Sequence, residues 1–140
     1  MNEKSKKLMA IIVPCYNEHE VIRDTNKKLM SLINKLINDT VINSDSYIYY
    51  IDDGSEDETW SIIKDICFHE KNIKGLRLSR NFGHQNAIFA GLENSSGDCI
   101  FTIDADLQDP PELFEEMYEK WKKGFHVVYG IRKEREGNFF

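Results

Sequence analysis

Blocks of continuous apolar residues alternate along this chain with amphipathic and polar ones. Residues 8–14 form an unbroken apolar run, the pattern of a strand buried on both faces. From 18 to 38 the spacing changes, and Ile22, Leu29, Leu32, Ile33, Leu36 and Ile37 fall on one helical stripe. A polar loop over 38–46 leads to a second strand at 47–51, rich in aromatic and β-branched residues. The next helix is predicted over about 56–69, with Trp60, Ile63, Ile66 and Cys67 inward and Ser55 and Glu58 as a capping box. A third strand at 75–78, a helix over about 85–94 and a fourth strand at 99–103 follow. Asp109-Pro110-Pro111 reads as an N-cap and first helical turn. The helix it opens carries Leu113, Met117 and Trp121 on one face and ends at Gly124. Residues 125–130 are predicted as a fifth strand. Such alternation means βαβ units: an α/β fold with a mostly parallel sheet and helices on both faces.

Length and charge narrow the function. The 140 residues suit a single domain. No apolar run approaches the ~18 residues of a membrane span, and no secretory signal is legible at the start. Eighteen basic residues against 24 acidic ones give a formal charge of −6, which argues against nucleic acid as the main partner. The three cysteines, Cys15, Cys67 and Cys99, show no CxxC spacing and are read as reduced, structural thiols. His19, His69, His84 and His126 lack metal-ligand spacing, although His84 follows Gly83 at a predicted helix start, where a side chain could reach a ligand.

Each strand runs into a polar segment too rich for an ordinary loop, and in an open α/β sheet the ligand crevice lies at those carboxyl ends. Asp104 and Asp106, two residues apart, can present both carboxylates to one side and suit a hard cation such as Mg²⁺, with Gln108 offering a further oxygen. The adjacent acids Asp52 and Asp53 repel each other and need a ligand, a metal or donor groups to stabilise them. A carboxylate there can accept from ribose hydroxyls or a base N–H. Arg80 and Arg132 are the cations able to clamp a phosphate. The usual ATP-binding, dinucleotide-binding and serine-hydrolase motifs are missing from the sequence.

Taken together, VPCYNE at 13–18, DDGS at 52–55, LSRNFGHQNA at 78–87, DADLQDPPE at 104–112 and VVYGIRKER at 127–135 resemble the nucleotide-sugar-binding half of family 2 inverting glycosyltransferases of GT-A fold. Within that family the chain is similar to the polyprenyl-phosphate sugar transferases, such as bactoprenol glucosyltransferases and dolichyl-phosphate mannose synthases. The resemblance implies a Rossmann-like donor domain over 1–140, truncated at its C-terminus. Pro14, Tyr16, Asn17 and Glu18 would line the nucleotide pocket, Asp52 would hold base or ribose, and Asp53 would sit at the sugar or phosphates. Asp104, Asp106 and Gln108 would hold Mg²⁺ or Mn²⁺ on the diphosphate. Arg80 and Asn81 would lie along the donor, and Arg132, with Asp106 the residue assigned to catalysis, near a phosphate.

The implied reaction transfers a hexose, with UDP-glucose as the expected donor, to a polyprenyl phosphate at the cytoplasmic face of a membrane. The alternatives are a family 2 transferase acting on a polysaccharide hydroxyl, or a piece that binds nucleotide without turnover. Receiver domains and DxD phosphatases place their paired acids after the first strand, unlike this chain. The aromatic ending Phe139-Phe140 and an open sheet edge predict self-association.

Overall fold

A computed structural model of the protein describes residues 6–107, 110 and 113–130. Gln108, Asp109, Arg132, Phe139 and Phe140, and the expectations resting on them, lie outside the described residues. The elements run β1 (Met9–Cys15), α1 (Ile22–Asn38), β2 (Tyr47–Asp52), α2 (Thr59–His69), β3 (Ile73–Arg77), α3 (His84–Asn94), β4 (Cys99–Thr102) and α4 (Leu113–Lys122). The strands form one parallel sheet in the order β3-β2-β1-β4.

Topology follows from the handedness of parallel crossovers. Building from β1 outwards to β2 and β3 puts α1 and α2 on one face. Stepping back across the sheet to β4 puts α3 on the other. Side-chain alternation sorts the core accordingly. Met9, Ile11, Val13, Ile48, Tyr50, Cys99 and Phe101 meet the apolar stripe of α1, Ile63 and Ile66 of α2, and Phe114 and Tyr118 of α4. Ala10, Ile12, Tyr49 and Ile51 meet Ala87 of α3. That helix lies close to the sheet because Gly91 has no side chain; a Cβ there would stand 2.7 Å from Ile12 Cγ2.

Ile22, Leu29, Leu32, Ile33 and Leu36 of the α1 stripe are enclosed as predicted, and Ile37 is half-buried. In α4 the fully buried pair is Phe114 and Tyr118, one position beyond the predicted stripe, whose members Leu113, Met117 and Trp121 are only half-buried. The rings of Phe101 and Phe114 meet edge-on at 4.9 Å, which fixes α4 beneath β4.

Two further expectations are corrected. Residues 125–130 form no strand, and the apolar alternation there faces solvent: Phe125, Val127 and Tyr129 are 60%, 65% and 83% exposed. The Gly130 end of this segment lies beside Leu113, close to a helix side chain instead of in a strand ladder. α2 starts at Thr59, and Ser55 does not cap it; the Ser55 hydroxyl accepts the Asn17 N–H at 2.9 Å instead. The N-cap is Glu58, and Asp57 just before it accepts the Thr59 N–H at 2.9 Å.

Candidate functional site

The sheet order reverses between β1 and β4: α1, which leaves β1, and α3, which leads into β4, lie on opposite faces. Such a switch point is where a crevice opens outside the carboxyl ends of the strands. A cleft of about 420 Å³ occupies this place, lined by Pro14, Cys15, Tyr16, Glu18, Asp53, Asn81, Gly83, His84, Ala87, Asp104, Ala105 and Asp106. The structure thus gathers Pro14, Tyr16, Glu18, Asp53, Asn81, Asp104 and Asp106 from the sequence-predicted set. Asn17, Asp52 and Arg80 do not line it.

The strand-to-helix segments around the cleft are bound to one another. Asn17, at φ 53°, donates its N–H to Ser55, and its side-chain oxygen accepts the Glu56 N–H at 2.9 Å. Glu18 donates its N–H to the Thr59 hydroxyl at 2.9 Å. His19 Nδ1 lies 2.6 Å from Asp57 Oδ2. These contacts hang the 16–20 segment on the start of α2, which is why α1 begins at Ile22 and not at Glu18. Asn17 spends its polar groups on this junction and borders a neighbouring hollow with His19, Glu56 and Asp57.

Alternation along β2 separates the two adjacent acids. Tyr50 faces α1 and Ile51 faces α3, so Asp52 turns towards α1 and Asp53 towards α3. Asp52 is wholly buried; one oxygen accepts the Ser55 N–H at 3.3 Å, and the other lies 3.6 Å from Arg77 Nε without a hydrogen bond. Asp52, which the motif resemblance assigns to base or ribose, lies beneath the cleft and does not line it. Asp53 reaches the cleft wall, and its two oxygens accept the N–H groups of Phe82 and Gly83 at 2.8 and 3.1 Å. Gly54 makes this junction possible: at φ +67° its α-carbon faces the backbone of the next segment, and a Cβ would lie 2.3 Å from the Arg80 carbonyl carbon. Arg80 itself is exposed at the rim, its guanidinium 3.9 Å from the centre of the Phe82 ring.

At the end of β4 the Asp-Ala-Asp spacing brings two acids to one cleft. Ala105 is buried and its carbonyl accepts the Thr25 hydroxyl of α1, which pins the segment. Asp104 and Asp106 on either side are exposed and line the cleft. The cleft is therefore rich in carboxylates. Burial raises the Glu18 carboxyl above its ordinary value, and the negative charges of Asp106, Asp57 and Asp104 raise it further. These hard oxygen donors, crowded enough to repel one another, fit a Mg²⁺- or Mn²⁺-like cation. Among the described residues no three such side chains enclose a cation by themselves. An ion seated here would complete its shell with water and with oxygens of a ligand, as Mg²⁺ ordinarily does.

Sequence reasoning passed over Cys15, Ala87 and Ala105 as lining residues and gave His84 no assigned role. Cys15 is a floor residue whose thiol is pushed well up by burial, with Glu18 and Asp52 adding to the shift, so it stays protonated at neutral pH. His84 had one legible signal, its place directly after Gly83 at the helix start.

Comparison with known proteins gives a consistent result. The model of "Glycosyl transferase family 2" matches residues 10–140. The uncharacterized glycosyltransferase YkoT of Bacillus subtilis is 39% identical over 140 residues, covering 99% of this chain and 42% of that protein. A prophage bactoprenol glucosyl transferase homolog of Escherichia coli K12 is 35% identical over 127 residues, 91% of this chain and 40% of that protein. The chain thus spans about two fifths of the length of these relatives. Among solved structures, the mannosyltransferase PcManGT of Pyrobaculum calidifontis, in complex with GDP-Man and Mn²⁺, superposes with a TM-score of 0.62 at 17% identity. It covers 78% of this chain and 34% of that one, a likeness of GT-A fold.

Proposed function

Because the chain belongs to glycosyl transferase family 2, we propose that it forms the donor-binding part of an inverting transferase that moves a hexose from a nucleoside-diphosphate sugar to a polyprenyl phosphate. The observation that carries this reading is the carboxylate-lined cleft at the β1/β4 switch point. The polyprenyl acceptor is supported by the name of the Escherichia coli relative, and UDP-glucose is the donor that the motif resemblance favours.

In this reading Asp53 is the acid that meets the nucleoside. A carboxylate has about four lone-pair sites, so after accepting two backbone N–H groups Asp53 still has acceptors for a base or ribose. Asp52 holds the turn from beneath. Pro14 and Tyr16 wall the nucleoside side and Asn81 the opposite rim. Asp104 and Asp106 would hold the cation, with Gln108 assigned to it by the motif; when bound, the ion supplies charge stabilisation to the departing diphosphate. Arg132 is assigned by the motif to a phosphate. A phosphate acceptor is already ionised at neutral pH, so the chain need not hold a strong base against it. Attack from the face opposite the diphosphate inverts the anomeric centre.

The test is a thermal-shift panel of UDP, GDP, CDP and TDP, each with and without Mn²⁺. The reading expects stabilisation by at least one diphosphate, larger when Mn²⁺ is present, since a ligand bound to the folded state raises the melting temperature. No shift with any nucleotide would overturn it.

A further inference from the structure

His84 is the first residue of α3, and its Nε2 stands 3.3 Å from Asp104 Oδ1 across the mouth of the cleft. Both side chains are more than half exposed, at 58% and 56%. The pair also borders a second hollow of about 320 Å³, together with Pro14, Ile88, Thr102 and Leu113, and so forms part of the partition between the two spaces.

Both partners stand on backbone that is held in place. The α3 start is anchored on both sides: Asp53 accepts the Gly83 N–H, and the Gly83 carbonyl accepts the Ala87 N–H at 3.0 Å. Ala87 beneath is fully buried against the sheet. Asp104 lies past the end of β4, between the Ile103 N–H bond to Ile12 at 3.0 Å and the Leu107 N–H bond to its own carbonyl at 3.1 Å, with its side chain exposed. A half-exposed carboxylate at such a place samples several rotamers, and a ligand that needs one of them must pay the ordering entropy. A neighbour on a rigid element that holds one oxygen removes part of that cost, as groups behind metal ligands commonly do.

We infer that His84 is a positioning residue, whose imidazole orients the Asp104 carboxylate for the cation that the donor diphosphate brings into the cleft. The inference rests on the donor-site reading above. It identifies α3 as a contributor to the metal side of the site, which is otherwise built from β4, and explains why a histidine without metal-ligand spacing stands at this position.

The experiment titrates Mn²⁺ into the chain in the presence of UDP, following free Mn²⁺ by electron paramagnetic resonance, for wild type, His84→Ala and His84→Gln. Uridine affinity and melting temperature are measured on each. His84→Ala is expected to weaken Mn²⁺ binding about 10–100-fold, with uridine affinity and melting temperature unchanged. His84→Gln, whose amide N–H can reach the same oxygen, is expected to restore most of the loss. Equal Mn²⁺ affinity in wild type and His84→Ala overturns this inference and leaves the donor site standing. Loss of uridine affinity in step with Mn²⁺ affinity also overturns it, since His84 then shapes the pocket as a whole. A wild type that binds UDP without taking up Mn²⁺ overturns the metal reading and this inference with it.

Discussion

Asp52 and Asp53 are adjacent in sequence and equal in charge, yet one is sealed inside the protein and the other faces the cleft. Strand alternation causes the difference, and the sequence conceals it: β2 is apolar on both faces, so Tyr50 and Ile51 do not reveal which side is which. The Asp104–Asp106 pair was legible from its spacing, since residues two apart at a strand end point the same way. His19 and Asp57 show what a local pattern cannot reveal, since their contact joins segments 38 positions apart. Burial opposes ionisation of Asp57, but hydrogen bonds from Thr59 and His19 outweigh it and hold the carboxyl down at about 2, below its ordinary 3.8. The bond to Asp57 raises His19 above its ordinary 6.5. A lowered acid stabilises the fold above 3.8 and loses its contribution as pH falls through about 2; a raised histidine contributes below 6.5 and loses its share as pH rises through its folded value. The urea midpoint of wild type minus that of Asp57→Asn is therefore expected to be greatest between pH 3.8 and 6.5, and to shrink on both sides. A difference that stays flat from pH 2 to 8 would remove the ion pair from the account.

At the scale of elements, apolar spacing carried most of the architecture. It located four strands and four helices, because buried stripes and runs are what drive these segments to fold. Helix starts were less legible. α1 and α2 both begin later than their patterns suggest, since residues 17–19 are bonded across the loop junction to residues 55–59. The alternation at 125–130 satisfied a strand pattern without acquiring a strand partner, and a period of two specifies a shape only when a neighbour supplies the other half of the ladder. Gly91 is the element-scale feature most sensitive to change. In Gly91→Leu the new side chain must displace Ile12 and Ile51, whose nearest atoms lie 2.7 and 3.1 Å from a Cβ at this position. Overpacking of this kind costs about 1–3 kcal/mol. Because α3 carries His84 and follows directly on the Phe82 and Gly83 N–H groups that donate to Asp53, the variant should also weaken nucleotide binding; equilibrium unfolding and UDP titration on the same sample measure both.

For the molecule as a whole, the sign of the charge decides how a donor can bind. The chain carries −6, and the cleft at the β1/β4 switch point holds Glu18, Asp104 and Asp106. A nucleoside diphosphate is an anion too, so its phosphates meet repulsion at the end of the cleft where β4 delivers its two acids. In the proposed reading, affinity for the diphosphate depends on a cation between the two, while the nucleoside end, assigned to Asp53 and Tyr16, does not. Family membership sets the fold, and this distribution of charge turns the proposed function into a quantitative expectation. Calorimetric titration of UDP into wild type and into the Asp104→Ala/Asp106→Ala double variant, each with Mn²⁺ and with EDTA, is the most direct measure of it. The account predicts tight binding only for wild type with Mn²⁺, and weak, metal-independent binding in the other three cases. Equal UDP affinity of the wild type in Mn²⁺ and in EDTA would contradict it.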